Sequence, residues 1–387
     1  MSDDYRLIIH AGAPKCGSSS LQSTLSRQPR FAARDGRRYA YCSILDGGDV
    51  VHGAALSRRA AASPFGYSSS ANIVNADWAS SVECVSQTLQ DIRAEHGTPI
   101  LSSEGWVSRA EAFATSGLIE KAGGRAHVVI FVRPPVDWLN SAWWQWGAWT
   151  GRPLRRYVEV NLGSVRWHAH AKAWARVPGV ERVTLRLAER NVVPVFYDML
   201  DAAPPAPVMS NSGVPPAFLA FMKRNRRYRE GPHTPQVEFV VARHLDCGGV
   251  KAPWVLSADE IDLVFERTPQ LPKGVRSRLH PDDRDAMACE PRWWDAGAYA
   301  GHAVESDERW STENALVELH DALLKPVGPV GRWHLRGSAR RLREAARLGR
   351  IEDADAEIAR IVDWVVAHDK ARRLQQAVEP PGSRPRG

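Results

Sequence analysis

Three features of the sequence predict an α/β protein. Apolar runs of strand length alternate with amphipathic segments of helix length through roughly the first 245 residues. One run, Ala126 to Val132 (A-H-V-V-I-F-V), is apolar on both faces, as a central parallel strand must be. Near the start, an apolar run from Arg6 to His10 passes through small residues, Gly12 to Ser19, into a helical pattern with Leu21 and Leu25 on one face. The expectation is a three-layer α/β/α domain with a mainly parallel central sheet over residues 1–330. A C-terminal helical extension should follow it.

The elements follow in order. Residues 27–75 are rich in Arg, Gly and Ser and read as a long, partly helical insertion near the site. Trp78, Val82, Val85, Leu89 and Ile92 recur at helical spacing, so Asp77 to Glu95 is an amphipathic helix. Pro99 to Ser103 is a short strand, and Ser108-x-x-Glu111 reads as a capping box for the next helix. After Val132 come Arg133-Pro134-Pro135 and a helix through Trp138, Ala142, Trp146 and Trp149. Arg182–Leu187 and Val192–Tyr197 are two further strand candidates. Helices are expected over Pro216–Arg224, Thr234–His244 and Ser257–Arg267, the last with the capping box Ser257-x-x-Glu260. Residues 270–312 are irregular. Residues 331–378 form a helical hairpin broken at Gly349, either a degenerate repeat packed on the main domain or a homo-oligomerisation element. The tail, 379–387, has the composition of a disordered segment.

Composition bounds the function. No apolar run approaches the ~20 residues of a membrane span, and the start, M-S-D-D-Y-R, lacks the basic-then-apolar order of a signal peptide. A cytoplasmic location is the expectation. Five scattered cysteines without a C-x-x-C pair indicate neither a zinc site nor a disulfide framework. His168 and His170 lie in a helical pattern that separates them, so no metal is expected. The net charge of +7 suits anionic ligands, but no nucleic-acid-binding motif is present.

A strand, a small-residue loop and a helix N-terminus together form a phosphate-binding geometry, because backbone N–H groups and the helix dipole both face the anion. The loop is Pro14-Lys15-Cys16-Gly17-Ser18-Ser19-Ser20. It is not the Walker A pattern, in which Lys directly follows the second Gly and precedes Ser or Thr. Ligands of open α/β sheets bind beyond the C-terminal ends of the strands. Two more charged residues fall at such ends: Glu104 after Pro99–Ser103, and Arg133 after the apolar strand. An arginine there needs an anionic partner, and Ser141 follows on the next helix.

These motifs resemble the 5′-phosphosulfate loop and 3′-phosphate site of sulfotransferases that use 3′-phosphoadenosine 5′-phosphosulfate, in particular a bacterial carbohydrate-type branch with an S-S-E element, here Ser102-Ser103-Glu104. The resemblance covers the two nucleotide motifs and the alternating pattern of about residues 5–245. It implies a P-loop-like fold. It implies that Pro14 to Ser20 hold the donor's 5′-phosphate and sulfuryl group, with Lys15 stabilising developing charge. It also implies that Arg133 and Ser141 hold the 3′-phosphate. Cys16 departs from the hydroxyl residue usual at its place. The Lys/Arg-Lys-Gly nucleotide loop of the cytosolic animal enzymes is not visible, and Arg224, Arg226 and Arg227 are candidates to complete the 3′-phosphate pocket.

The implied activity is transfer of a sulfuryl group to a hydroxyl or amine of an acceptor, a carbohydrate or small metabolite, leaving 3′-phosphoadenosine 5′-phosphate. No metal is expected. Glu104 is the first candidate for general base and His52 the second, since an imidazole needs little tuning near neutral pH. His10, on the first strand, reads as a core histidine. The competing readings are a P-loop nucleotide kinase or phosphotransferase, a non-catalytic nucleotide- or RNA-binding protein, and a sulfotransferase fold without turnover.

Overall fold

A computed structural model describes residues 4–71, 78–188, 191–206, 213–245 and 252–378. The chain divides into two compact units. The first takes in residues 1–139, 158–208 and 261–299. It holds a seven-stranded sheet: β1 (Leu7–Gly12), β2 (Arg30–Ala32), β3 (Arg38–Ile44), β4 (Val50–His52), β5 (Thr98–Glu104), β6 (Ala126–Val132) and β7 (Val180–Leu187).

The order is β2-β3-β5-β1-β6-β7, with β4 also paired to β3. β3, β5, β1, β6 and β7 run parallel, while β2 and β4 run antiparallel to β3. The sheet is therefore mixed but mostly parallel. β1 and β6 are buried along their whole length, which accounts for their continuous apolar character. The chain moves from β1 outward to β3 and β5, then crosses back over β1 to β6 and β7. The order thus reverses at β1, and such a reversal opens a crevice at the strands' C-terminal ends.

Helices pack on this sheet in two groups. Ser18–Arg27 touches Gly53–Ala62 and Val192–Met199; Trp78–His96 touches Ala110–Ser116 and Leu118–Lys121. The buried Arg186 of β7 donates from Nε and Nη2 to both carboxylate oxygens of Asp283, at 2.7 and 3.2 Å, tying the sheet to the helix Pro281–Cys289.

Three local expectations are corrected. Val192–Tyr197 is not a strand but the start of the helix Val192–Met199. Asn191 caps it by accepting the Val193 N–H at 3.1 Å, and Pro194 sits in the first turn, where its missing N–H is harmless. Residues 27–71 are partly helical, through Gly53–Ala62, but they are not an insertion outside the sheet: they also supply β2, β3 and β4, so this stretch builds an edge of it. The Ser108–Glu111 capping box is not formed. The helix starts at Ala110, and Ser108 donates instead to the Gly105 carbonyl. At Ser257 one half of the box exists, the Ser257 N–H donating to Glu260 Oε2 at 3.0 Å.

The second unit takes in residues 140–157, 209–260 and 300–387. Its described part is helical, with Pro216–Arg224, Gln236–His244, Glu313–Leu324, Pro329–His334, Ser338–Arg347 and Ile351–Val378. Phe218, Phe221, Leu316, Leu319, Leu342, Ile358 and Ile361 form one buried core. The hairpin turns at Gly349, whose φ of 67° favours glycine. The C-terminal hairpin therefore shares its core with segments from within the expected 1–330 domain. Residues 379–387 lie outside the described residues.

Candidate functional site

The loop between β1 and the helix Ser18–Arg27 is a tight turn. The Cys16 N–H donates to the Ala13 carbonyl at 3.2 Å, and Ser18 Oγ reaches the same oxygen at 3.4 Å. Two loop residues are left-handed, Lys15 at φ 60° and Gly17 at φ 88°. For lysine that conformation costs about 1–2 kcal/mol and persists only where neighbours enforce it. They do so here. Arg133 Nη1 donates to the Lys15 carbonyl at 3.2 Å, and Trp138 Nε1 donates to the Pro14 carbonyl at 2.6 Å. Trp167 Nε1 in turn donates to the Arg133 carbonyl at 3.1 Å.

The glycines are sterically required. A Cβ on Gly12 would stand 2.8 Å from the Ser103 carbonyl oxygen, and one on Gly17 would stand 2.7 Å from a Val192 methyl.

The sheet register brings Glu104 to this loop. Gly12 and Glu104 are Cα partners at the ends of β1 and β5, and the Gly105 N–H donates to the Gly12 carbonyl at 2.9 Å. Cys16 reports the neighbourhood. Burial pushes its thiol up to about 12; Arg133 and Lys15 pull it down, and Glu104 pushes it further up. Three charged groups therefore surround a thiol that stays protonated, which removes Cys16 as a nucleophile.

Pro14, Lys15, Cys16, Gly17, Ser18, Ser19, Ser20, Glu104 and Arg133 thus share one edge of the first unit. Lys15 is exposed and Ser18 is buried. Ser141 stands on the helix Pro135–Gln145, within the second unit.

His52 is not brought to the loop edge. Its ring packs against His96 at 5.4 Å between centroids, and burial, His96 and Arg30 hold its pKa down. His96 lies two residues before the start of β5, whereas Glu104 ends it. His52 therefore faces groups near the opposite end of β5 from the loop. His10 is a core histidine: its Nδ1 lies 2.8 Å from Ser102 Oγ, which also accepts from Gln22 Nε2 at 3.1 Å. Burial lowers its pKa to about 3.

Arg224, Arg226 and Arg227 also lie in the second unit, where Arg224 grips Asp355, Arg226 donates to the carbonyls of Trp149 and Glu230, and Arg227 pairs with Asp363. Among the described residues no group of three or more His, Cys, Asp or Glu is arranged to hold a metal ion, and no helix is long and apolar enough to cross a membrane.

Two parts of the neighbourhood escaped sequence reasoning. The first is Tyr67, whose hydroxyl lies 3.5 Å from Ser19 Oγ. Burial and Glu104 push its phenol up to about 12, so it stays a neutral hydrogen-bond donor. It sits on a strap stitched to the sheet: the Ser70 N–H donates to the Ser102 carbonyl at 2.9 Å, and Ser103 Oγ donates to the Ser70 carbonyl at 2.7 Å. The second is the pair of distant partners of Asp137, the carboxylate four residues after Arg133 and 3.8 Å from its Nη2: Asp137 receives Arg292 Nη1 at 3.2 Å and the Tyr299 hydroxyl at 2.9 Å. Partners 155 and 162 residues away leave no signature at Asp137 itself. Tyr67 carries no periodic signal because it lies in an irregular Gly/Ser run.

Chemically, the loop edge combines a helix N-terminus, three serines, a lysine and an arginine, a donor set suited to a phosphate-bearing anion. One carboxylate, Glu104, stands beside it. Compared with known proteins, the chain matches no family model, no curated protein and no solved structure.

Proposed function

We propose that the protein is a sulfotransferase using 3′-phosphoadenosine 5′-phosphosulfate. The observation that carries the reading is the joining of three separate segments at one sheet edge: Arg133 hydrogen-bonded to the Lys15 carbonyl, and Glu104 in register with Gly12. When bound, the donor supplies a sulfuryl group on a phosphate leaving group. The amides of Gly17, Ser18 and Ser19 at the helix start, with the serine hydroxyls, hold the 5′-phosphate. Lys15 faces charge that builds on the leaving oxygen, where a preorganised cation acts most strongly. Arg133 holds the 3′-phosphate by charge-assisted hydrogen bonds. Glu104 accepts the proton of the acceptor hydroxyl, while Tyr67 walls the same space. The acceptor is a hydroxyl- or amine-bearing small molecule or glycan.

Calorimetry with 3′-phosphoadenosine 5′-phosphate tests the reading. Micromolar binding that requires the 3′-phosphate, with AMP and ATP as poor competitors, is expected. Equal or tighter binding of ATP with magnesium would replace it with a phosphotransferase.

A further inference from the structure

The second unit carries a surface that nucleotide chemistry does not use. From Lys325 to Arg350 the sequence contains eight lysine or arginine residues and one acid, Glu344. The short helix Pro329–His334 packs through Gly331 and, just beyond its end, Leu335. A Cβ on Gly331 would meet Trp364 and Val327 at 2.5 Å, so this helix lies close against the core. That packing turns the other side outward. Val330 is 71% exposed and Trp333 is 69% exposed, one turn apart.

The next helix, Ser338–Arg347, buries Ser338, Leu342 and Ala345. Its outer stripe is basic: Arg336, Arg340, Arg343 and Arg347 follow at four-, three- and four-residue steps and are all exposed. Arg343 reaches Asp321 at 3.8 Å across an exposed surface. Among the described residues Lys325, Arg332, Arg336, Arg340 and Arg347 have no ion-pair partner.

We propose that this corner docks the protein on an anionic phospholipid surface. Charge complementarity points to an anionic partner. The exposed tryptophan and valine distinguish a bilayer from other polyanions. An indole and an aliphatic side chain at the tip of a basic corner can enter the headgroup and acyl boundary, while the arginines stay at phosphate level. A nucleic acid would use the arginines and could stack on the indole, but it offers Val330 nothing. The attachment is peripheral and reversible.

The test is co-sedimentation of the full chain with phosphatidylcholine vesicles, with and without phosphatidylglycerol, across a salt series. Binding should require the anionic lipid and fall steeply with salt. Val330→Ser with Trp333→Ser should weaken it about tenfold. The triple change Arg336→Gln, Arg340→Gln and Arg347→Gln should weaken it on the order of a hundredfold. All these positions are exposed, so thermal unfolding should not move, which separates lost docking from lost fold. Brominated lipid should quench a fluorescence component that disappears in Trp333→Phe.

Three results would overturn the proposal. One is no sedimentation with anionic vesicles. Another is binding that ignores Val330 and Trp333 and is displaced by single-stranded RNA, which would assign the arginines to nucleic acid. The third is a lipid-independent dimer broken by the Trp333 change, which would assign the patch to a second copy of the chain.

Discussion

Apart from the buried Arg186–Asp283 pair of the first unit, arginine does different work in the two compact units. In the second, Arg224 meets Asp355 with Nε and Nη2, both at 2.8 Å. Arg229, fully buried, meets Glu238 at 2.8 Å, and the fully buried Asp369 gathers Arg243 at 2.9 Å, His244 at 3.0 Å and Arg373. In the first unit, Arg133 reaches a main-chain oxygen at 3.2 Å and Asp137 at 3.8 Å, and Asp137 is shared with Arg292 and Tyr299. A short pair sealed from water is scaffolding, since removing one partner strands the other. A guanidinium with longer contacts spread over a strained loop and a shared carboxylate holds geometry and keeps cationic character at the sheet edge. Sequence position does not distinguish the two kinds; the partners do.

That contrast can be broken at several points. The largest effect is expected at Asp369→Ala, which strands Arg243, His244 and Arg373 and should cost about 3–5 kcal/mol, read by denaturant unfolding. Nucleotide affinity should survive wherever the protein remains folded. The same carboxylate is held well below the usual range despite burial, by hydrogen bonds from His244 and Arg373 and by the Arg243 charge. Its contribution is complete above the unfolded value, near 4, and is lost as pH falls from there towards the depressed folded value.

Next in size is Glu104→Gln. Turnover should fall by roughly 10²–10⁴-fold, as for loss of a general base, with the affinity for 3′-phosphoadenosine 5′-phosphate changed by less than about twofold. Near-wild-type turnover would remove Glu104 from the mechanism. Arg133→Ala should weaken the same nucleotide by about 10–100-fold, the range for one charge-assisted hydrogen-bonding group, with stability lowered far less than by Asp369→Ala. A comparable loss of stability would place Arg133 with the scaffold.

His10 gives a subtler effect. The folded imidazole stays neutral down to about 3, because burial disfavours its charged form, whereas the unfolded one takes up a proton below about 6.5. The unfolded state therefore binds more protons in that window, and stability should fall as pH drops through it. His10→Asn should flatten the slope, measured as urea midpoints from pH 7 to about pH 4. The smallest effect is expected at His52→Asn: less than about twofold in turnover or nucleotide affinity, because its ring faces His96, away from the loop.

Much of this arrangement was legible in the residues. Ala126–Val132 could only be a buried strand, and Ser338–Arg347 and Ile351–Val378 declared themselves by periodicity and by Gly349 between them. The loop from Pro14 to Ser20 was legible because glycine, hydroxyl residues and a lysine after a strand have one economical geometry. Val192–Met199 was not, since V-V-P-V-F-Y fits a buried strand and a buried helix equally by pattern; the Asn191 cap decided it. Residues 30–52 were missed as strands because β2 and β4 have only three residues each, and β3, though seven residues long and inside the sheet, sits in an Arg-, Gly- and Ser-rich stretch that masks its pattern.

The sequence by itself determined local matters: which runs are apolar, where chain direction must change, and which residue types follow each strand. Tertiary structure decided which of those residues meet. The register of β1 against β5 put Glu104 beside Gly12, and β4 carried His52 towards His96 instead. Asp137 acquired partners from residues 292 and 299, and Tyr67 came to Ser19 on a strap held by β5. The physical reason is that periodicity and turn chemistry act over a few residues, whereas a site is assembled by strand pairing and burial across the whole chain.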